Sequence, residues 1–132
     1  MIVFVDTSAV LKLMVEEQES TETAEYLQTM ASNGHQVVGS MLLYTELHCA
    51  GHRRGIPSEL VTAVLHGINL VDLIRSDLMY AAALPGKLRS TDAIHLATAI
   101  RVQADEFVAY DAELLEAAVE AGLTVQSPGK TR

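Results

Sequence analysis

The chain is poor in the features that mark secreted and membrane-bound proteins. Its 132 residues contain one cysteine, Cys49, which excludes an intramolecular disulfide and is typical of a reducing compartment. The first apolar run, residues 2–5, is too short for a signal peptide, and no basic leader precedes it. No apolar stretch approaches the length of a membrane span. These absences predict a cytoplasmic protein with no membrane partner.

Positive charge is also scarce. Nine Lys and Arg residues stand against 17 Asp and Glu, for a net charge of -8, which excludes proteins that coat nucleic acid by neutralising its phosphates. It does not exclude a nucleic-acid enzyme whose metal ions supply the positive charge. Apolar residues are plentiful, at 49% against 20% charged, as in globular domains. We expect one domain over residues 1–126, followed by a loose tail over residues 127–132.

Short apolar runs alternate with helical patterns along the chain. The runs predict five strands, over residues 2–5, 36–38, 68–73, 107–109 and 123–125. Caps and helical periodicity predict seven helices, over residues 9–15, 20–32, 41–53, 60–66, 76–85, 90–104 and 112–121. This alternation predicts an α/β fold with a mainly parallel five-stranded sheet. Ligands bind such sheets beyond the carboxyl ends of the strands.

Two carboxylates are predicted to lie at that edge of the sheet. Asp6 directly follows the first strand, and Asp111 comes two residues after the fourth. The alternative for each is a helix N-cap with no further role, because Asp is a preferred cap. Taken singly, neither residue decides between a cap and a binding site.

Two further carboxylates lie on helices that are mostly apolar. The near neighbours of Glu46 on its helix are apolar, which places it in the middle of the apolar stripe. Asp92 lies in the first turn of a helix with almost no polar face, where the helix dipole favours an acid. A buried carboxylate needs a cation or a strong partner. For Glu46 the alternative partner is Arg53, seven residues on and on the same helix face.

Acids gathered at one site raise one another's pKa unless a cation neutralises them. Mg²⁺ and Mn²⁺ favour carboxylates and water as ligands. No set of Cys and His residues has zinc-finger spacing. His48 and His52 lie four residues apart but point away from Glu46, so we interpret them as surface residues, with zinc a weak alternative.

Four segments resemble the acidic motifs of PIN-domain nucleases. They are Asp6-Thr7-Ser8-Ala9, Thr45-Glu46-Leu47, the stretch from Lys87 to Ala99, and Tyr110-Asp111-Ala112-Glu113-Leu114. The third segment is the most specific, and the order is right over nearly the whole chain except the tail. Chain length and motif spelling are most similar to the VapC toxins of bacterial toxin–antitoxin pairs.

The resemblance implies a three-layer α/β/α sandwich and a Mg²⁺- or Mn²⁺-dependent endoribonuclease. It also implies an RNA substrate, a cognate antitoxin and a homodimer. Carried over by position, the catalytic and metal-binding residues would be Asp6, Glu46, Asp92 and Asp111, and Thr7 would orient the carboxylates or a water. Ala109 and the pair Ala112-Glu113 depart from the usual pattern, which affects the detail around Asp111.

Four further residues are candidates for contact with RNA. Lys87 and Arg89 precede the helix that carries Asp92, and Arg53 ends the helix that carries Glu46. His95, three residues after Asp92 and on its side of the helix, is the fourth. A histidine that simply packs inside the helix layer is the alternative for His95.

Two other functions fit parts of the sequence. A PIN fold that binds RNA with weak or no catalysis is one, although the presence of all four acids counts against it. A receiver-type phosphoacceptor domain is the other, with Asp72 near the end of the third strand. It requires a Lys after the last strand, and none follows Val125 until Lys130 in the tail. It also leaves Glu46 unexplained.

Overall fold

The computed structural model describes residues 1–130 of the chain. Strands and helices alternate there in the order β1 (Ile2–Val5), α1 (Thr7–Met14), α2 (Ser20–Ser32), β2 (Gln36–Ser40), α3 (Leu42–Arg54), α4 (Ser58–His66), β3 (Asn69–Val71), α5 (Arg75–Ala83), α6 (Ser90–Arg101), β4 (Glu106–Val108), α7 (Ala112–Glu120) and β5 (Thr124–Gln126). Over the described residues, no helix is both long enough and apolar enough to cross a membrane.

All five strands form one parallel sheet in the order β3-β2-β1-β4-β5. Val3 pairs with Val37 of β2 on one side, and Val5 pairs with Val108 of β4 on the other. The sheet confirms the predicted α/β class. Because the chain builds outward from β1 in both directions, the strand order reverses between β1 and β4. A crevice opens at such a reversal, and parallel sheets use it to bind ligands.

Alternate side chains of β1 enter two separate cores, as the period of two in a strand requires. Val3 and Val5 pack into a cluster built from α1 to α4, which form the first layer of helices. Phe4 packs into a second cluster with α6 and α7, and its ring stacks on Phe107 at 5.8 Å between centroids. Helices therefore cover both faces of the sheet, which confirms the three-layer sandwich.

α5 belongs to the second layer and packs on α6 rather than on the sheet. Small side chains, Ala81 against Ala93 and Ala97, allow the two helices to approach closely. Arg101 at the end of α6 donates to both carboxylate oxygens of buried Asp77 in α5, at 2.7 and 3.0 Å. Burial alone would raise the pKa of Asp77, but the guanidinium outweighs it and holds that pKa below its usual range. This ion pair was not predicted from the sequence.

Most predicted element boundaries differ from the structure by one to three residues. α1 begins at Thr7 because Asp6 is its N-cap. α6 ends at Arg101 rather than near Ala104 because Gln103 adopts a left-handed backbone, with φ of 57°, and closes the helix.

The predicted loose tail is held in place as far as it is described. The Ser127 hydroxyl donates to the Ala109 carbonyl at 2.6 Å, and the Tyr110 hydroxyl donates to the Pro128 carbonyl at 2.6 Å. In both hydrogen bonds a side-chain hydroxyl donates to a backbone carbonyl, and together they join residues 127–128 to the segment that follows β4. Residues 131–132 of the predicted tail lie outside the described residues.

Candidate active site

Asp6 lies at the carboxyl end of the central strand β1 and is only 2% exposed. Its Oδ1 accepts the Ala9 N–H at 3.2 Å and the Ser8 hydroxyl at 2.7 Å, so it caps α1. Among the described residues, none donates a hydrogen bond to Oδ2. Burial raises the pKa of Asp6 to about 6, although the Ser8 hydrogen bond opposes the shift. The fold therefore holds one oxygen of a strongly desolvated carboxylate and leaves the other uncommitted.

Asp111 follows β4, the neighbour of β1, and repeats this arrangement. Its Oδ1 accepts the Leu114 N–H at 3.0 Å and caps α7. No donor to its Oδ2 is found within residues 1–130. The two segments adjoin at the sheet edge, where the Asp6 N–H donates to the Val108 carbonyl at 3.2 Å. Both acids are thus helix caps, but the cap hydrogen bonds use only one of the two oxygens of each carboxylate.

Glu46 is held from two other helices. Its Oε1 lies 2.6 Å from Thr7 Oγ1, which donates to it, and 2.5 Å from His95 Nε2. Burial would raise the pKa of Glu46, but these hydrogen bonds outweigh it and lower that pKa. Over the described residues, the alternative salt bridge to Arg53 does not form. Glu46 also lies at the margin of the buried helix face rather than in its middle, because neighbouring Cys49 is exposed.

Asp92 occupies the third position of α6 and is partly buried. Arg89 Nε lies 3.9 Å from its Oδ2, a loose contact that leaves the carboxylate weakly held. Burial raises the pKa of Asp92, and the negative charges of Asp111 and Glu46 raise it further. Asp92 in turn raises the pKa of Asp6. The carboxylates therefore influence one another electrostatically across the carboxyl end of the sheet.

The donor chemistry at this edge fits a hard divalent cation. Oxygens from partly or fully buried carboxylates repel one another, and Mg²⁺ or Mn²⁺ is the type of ion that relieves this repulsion. Within residues 1–130, however, no three His, Cys, Asp or Glu side chains form a ready-made metal cage. Mg²⁺ commonly binds through one or two carboxylates and retains several waters, so such a cage is not required for a fit.

The predicted RNA-contacting residues fall into two groups. His95 is only 1% exposed, so a direct contact with substrate does not fit its position. Its place in the interior follows from the nearly all-apolar surroundings of α6. Arg53, Lys87 and Arg89 are exposed, and the Arg89 side chain, at 82% exposure, is the one that adjoins an acid of the site. Lys87 lines an open cavity of about 230 Å³ together with acidic residues of α7.

The two other histidines considered for zinc do not form a site with each other. His52 is exposed, and the ring of the half-buried His48 packs against Tyr44 at 4.5 Å between centroids.

Sequence reasoning missed one residue that supports the site, Ser8. Its hydroxyl donates to Asp6 Oδ1 and accepts the Tyr110 N–H at 3.1 Å. Ser8 thereby ties the segment after β1 to the segment after β4. The available signal was its position two residues after a capping acid, where a hydroxyl can reach back to the carboxylate.

Comparison with known proteins identifies relatives over nearly the whole chain. The PIN domain profile matches residues 3–120. Ribonuclease VapC47 of Mycobacterium tuberculosis is 35% identical, with 98% of this chain and 99% of the relative aligned. Ribonuclease VapC46 of the same species is 34% identical, with 96% and 97% aligned.

Solved structures show the same fold at much lower sequence identity. A chain of VapBC2 from Rickettsia felis, bound to a DNA fragment from its promoter, has a TM-score of 0.77 at 14% identity and covers 96% of this chain and 98% of its own. VapC20 of Mycobacterium tuberculosis, a toxin that cleaves the sarcin-ricin loop, has a TM-score of 0.71 at 18% identity, with 87% and 94% covered.

Proposed function

This chain belongs to the PIN-domain family, and on that premise we propose that it is a metal-dependent endoribonuclease, the toxin of a toxin–antitoxin pair. Its curated relatives are named ribonucleases. Three acids carry the proposal: Asp6, Glu46 and Asp111 each have one oxygen committed to hydrogen bonds within the fold. Their second oxygens receive no hydrogen bond from any described residue. At the edge of the sheet where ligands bind, these second oxygens are available to a cation.

The four acids have distinct proposed roles. Asp6 and Asp92 would hold a Mg²⁺ or Mn²⁺ ion, directly or through water, Glu46 would complete the ligand set, and Asp111 would orient water or hold a second ion. A divalent cation supplies a more reactive water at neutral pH and neutralises the charge that develops on the phosphate. Thr7 fixes the orientation of Glu46 through its hydroxyl, at 2.6 Å.

The proposed substrate is cellular RNA, encountered in the cytoplasm. With a net charge of -8, the chain has few cations to offer to phosphates. Arg89, Lys87 and Arg53 are exposed, and we propose them as phosphate contacts near the acids. Arg89 has the best support because its guanidinium adjoins Asp92.

Sequencing of RNA 5′ ends after brief expression of the chain tests this function. The matched control is Asp6→Asn, which retains the oxygen that caps α1 but removes the negative charge. We expect discrete new ends with the wild-type chain and none with the variant. New ends that appear equally with both chains, or with neither, would contradict a nuclease centred on Asp6.

We also propose a small protein antitoxin as partner. The Rickettsia felis neighbour of this fold was solved as a VapBC2 complex, and the acidic charge of this chain suits a basic partner segment. Such a segment could place an arginine against the carboxylates. Purification of the chain from its native host should recover a small protein in equimolar amount, held by salt-sensitive contacts. Recovery of the chain alone, at a concentration where it is folded, would contradict this.

A homodimer is the third proposed association. Four large apolar side chains at the start of α5 and along it are 44–63% exposed, namely Ile74, Leu78, Met79 and Tyr80. Adjacent exposed apolar residues of this kind favour association. Light scattering should give a dimer for the wild-type chain and a monomer for Met79→Glu. A wild-type monomer at micromolar concentration would exclude this interface.

A further inference from the structure

We propose that His95 is a positioning residue of the nuclease site, whose Nε2 holds the Glu46 carboxylate in place. The inference rests on the proposed function and adds a residue to its machinery. His95 lies on α6 in the second layer of helices, and Glu46 lies on α3 in the first. Their 2.5 Å contact therefore spans the carboxyl end of the sheet and joins the two layers directly at the site.

The hydrogen positions follow from the three atoms that meet there. Thr7 Oγ1 donates its only hydrogen to Glu46 Oε1 at 2.6 Å, so it has none left for His95. His95 Nε2 lies 2.5 Å from the same carboxylate oxygen and 3.1 Å from Thr7 Oγ1. Both neighbours of Nε2 are therefore acceptors, and Nε2 must carry a hydrogen and donate it. Glu46 Oε1 receives two converging hydrogen bonds, which fix its position and leave Oε2 available.

The other ring nitrogen, Nδ1, makes no competing polar contact with any described residue. Nδ1 is buried and has no hydrogen-bond partner within the described residues. A lone pair at Nδ1 and a hydrogen at Nε2 is the tautomer that avoids an orphaned buried donor. Both contacts of Nε2 are with side chains of the site, Glu46 and Thr7. Because His95 is 1% exposed, it acts through Glu46 and not on the RNA.

Substitutions that mimic one ring nitrogen at a time separate positioning from packing. The amide nitrogen of Gln in His95→Gln can occupy the place of Nε2, whereas that of Asn in His95→Asn reaches only the place of Nδ1. With purified full-length protein and a defined RNA, we expect His95→Gln to retain cleavage within about 5-fold. His95→Asn should lose roughly 10- to 100-fold in kcat with little change in KM, as for a lost hydrogen bond to a charged group.

Other kinetic outcomes would overturn the proposal. Equal kcat values for the wild type and His95→Asn mean that Nε2 does not position Glu46. Equal losses in the Gln and Asn variants indicate packing alone, and a rise in KM at constant kcat indicates a direct RNA contact. Circular dichroism and thermal unfolding of each variant establish that it is folded before its rate is compared.

A second measurement needs neither activity nor a folded His95 variant. In ¹⁵N-histidine-labelled wild-type protein, NMR should show His95 with a protonated Nε2 and an unprotonated Nδ1. The Nε2–H resonance should shift in Glu46→Gln and stay in place in the matched control Glu113→Gln, an exposed residue of α7. An unchanged resonance in Glu46→Gln would overturn the contact. If the wild-type chain cleaves no RNA but this shift appears, the proposed function fails and the positioning contact stands.

Discussion

Asp6 and Asp111 make the same use of their carboxylates at the ends of two neighbouring parallel strands. Each accepts a backbone N–H of the following helix with Oδ1, from Ala9 and Leu114 respectively. Neither Oδ2 receives a hydrogen bond from a described residue. Helix capping fixes the direction of each carboxylate, so the same interaction that starts a helix also orients an oxygen for the proposed metal site.

Mutation should separate two roles of the Asp111 carboxylate, the helix cap and the proposed part in RNA cleavage. Asp111→Asn retains a cap oxygen and is expected to be nearly as stable as the wild type, whereas Asp111→Ala should lose about 1 kcal/mol. Both should lose RNA cleavage, because neither retains a charge. Urea unfolding and cleavage assays on the same preparations measure the two effects. An active Asp111→Asn would limit Asp111 to capping.

The buried charge of Asp6 should make the metal-free protein less stable as pH rises. The folded pKa is about 6 and the ordinary value 3.8, so between these values the folded state holds a proton that the unfolded state releases. Stability therefore falls as pH rises from about 4 to about 6. Asp6→Asn has no such proton and should be more stable than the wild type by about 3 kcal/mol at about pH 7.5. This advantage should shrink towards zero at about pH 4.

Urea unfolding of both proteins in chelator across this pH range provides the test. The contributions of the other titrating groups to the free energy of unfolding cancel when the wild type and Asp6→Asn are compared. A difference that does not vary with pH would show that Asp6 ionises normally in the folded chain.

Thr7 should act through its hydroxyl alone. Thr7→Ser retains the donor to Glu46, while Thr7→Val keeps the shape and removes it. We expect Thr7→Ser to cleave RNA at close to the wild-type rate, and Thr7→Val to lose roughly 10-fold or more, as for a hydrogen bond to a charged group. Initial rates at saturating RNA measure this. Equal rates in the Ser and Val variants would show that the hydroxyl does not support Glu46.

The ion pair between α5 and α6 should contribute to stability and not to catalysis. Arg101→Gln leaves the buried Asp77 carboxylate without its cation, and we expect a loss of about 3 kcal/mol. The matched control is Arg75→Gln, an exposed residue of α5, which should change stability by less than about 0.5 kcal/mol. Cleavage per folded molecule should be unchanged in both, because Arg101 and Asp92 lie at opposite ends of α6.

The stabilising effect of Arg101 should also depend on pH. Asp77 has a lowered pKa in the folded state, so its contribution is present above its ordinary pKa and is lost as pH falls through the folded value. The stability difference between the wild type and Arg101→Gln should therefore diminish in strong acid. A difference that persists there would assign the effect of Arg101 to packing of its side-chain stem.

Local patterns were sufficient to predict the architecture. Short apolar runs and helical patterns of period 3.6 alternate in the sequence, and each pattern depends only on near neighbours. The positions of Asp6 and Asp111 followed from the same patterns, because both lie where a strand gives way to a helix cap.

Contacts between distant residues could not be predicted in this way. Glu46 and His95 are separated by 49 positions, and helix periodicity offered Arg53 as the nearer partner for Glu46. The structure brings in His95 and Thr7 instead, because the end of the sheet is where both layers meet. Tyr110 likewise holds Pro128 by its hydroxyl, which no periodic pattern encodes. Side-chain partners across layers depend on how the elements pack, and local sequence carries little of that information.

Cleavage of one defined RNA at increasing Mn²⁺ concentration tests the central claim most directly, with the wild type, Asp92→Asn and Glu113→Gln compared. Among the described residues, the Asp92 carboxylate is held only by a 3.9 Å contact with Arg89, so its substitution should leave the fold intact. A metal site formed by the acids predicts no cleavage in chelator, saturable cleavage by the wild type and Glu113→Gln, and a rate at least roughly 100-fold lower for Asp92→Asn. Cleavage that persists in chelator, or that is equal in Asp92→Asn, would contradict it.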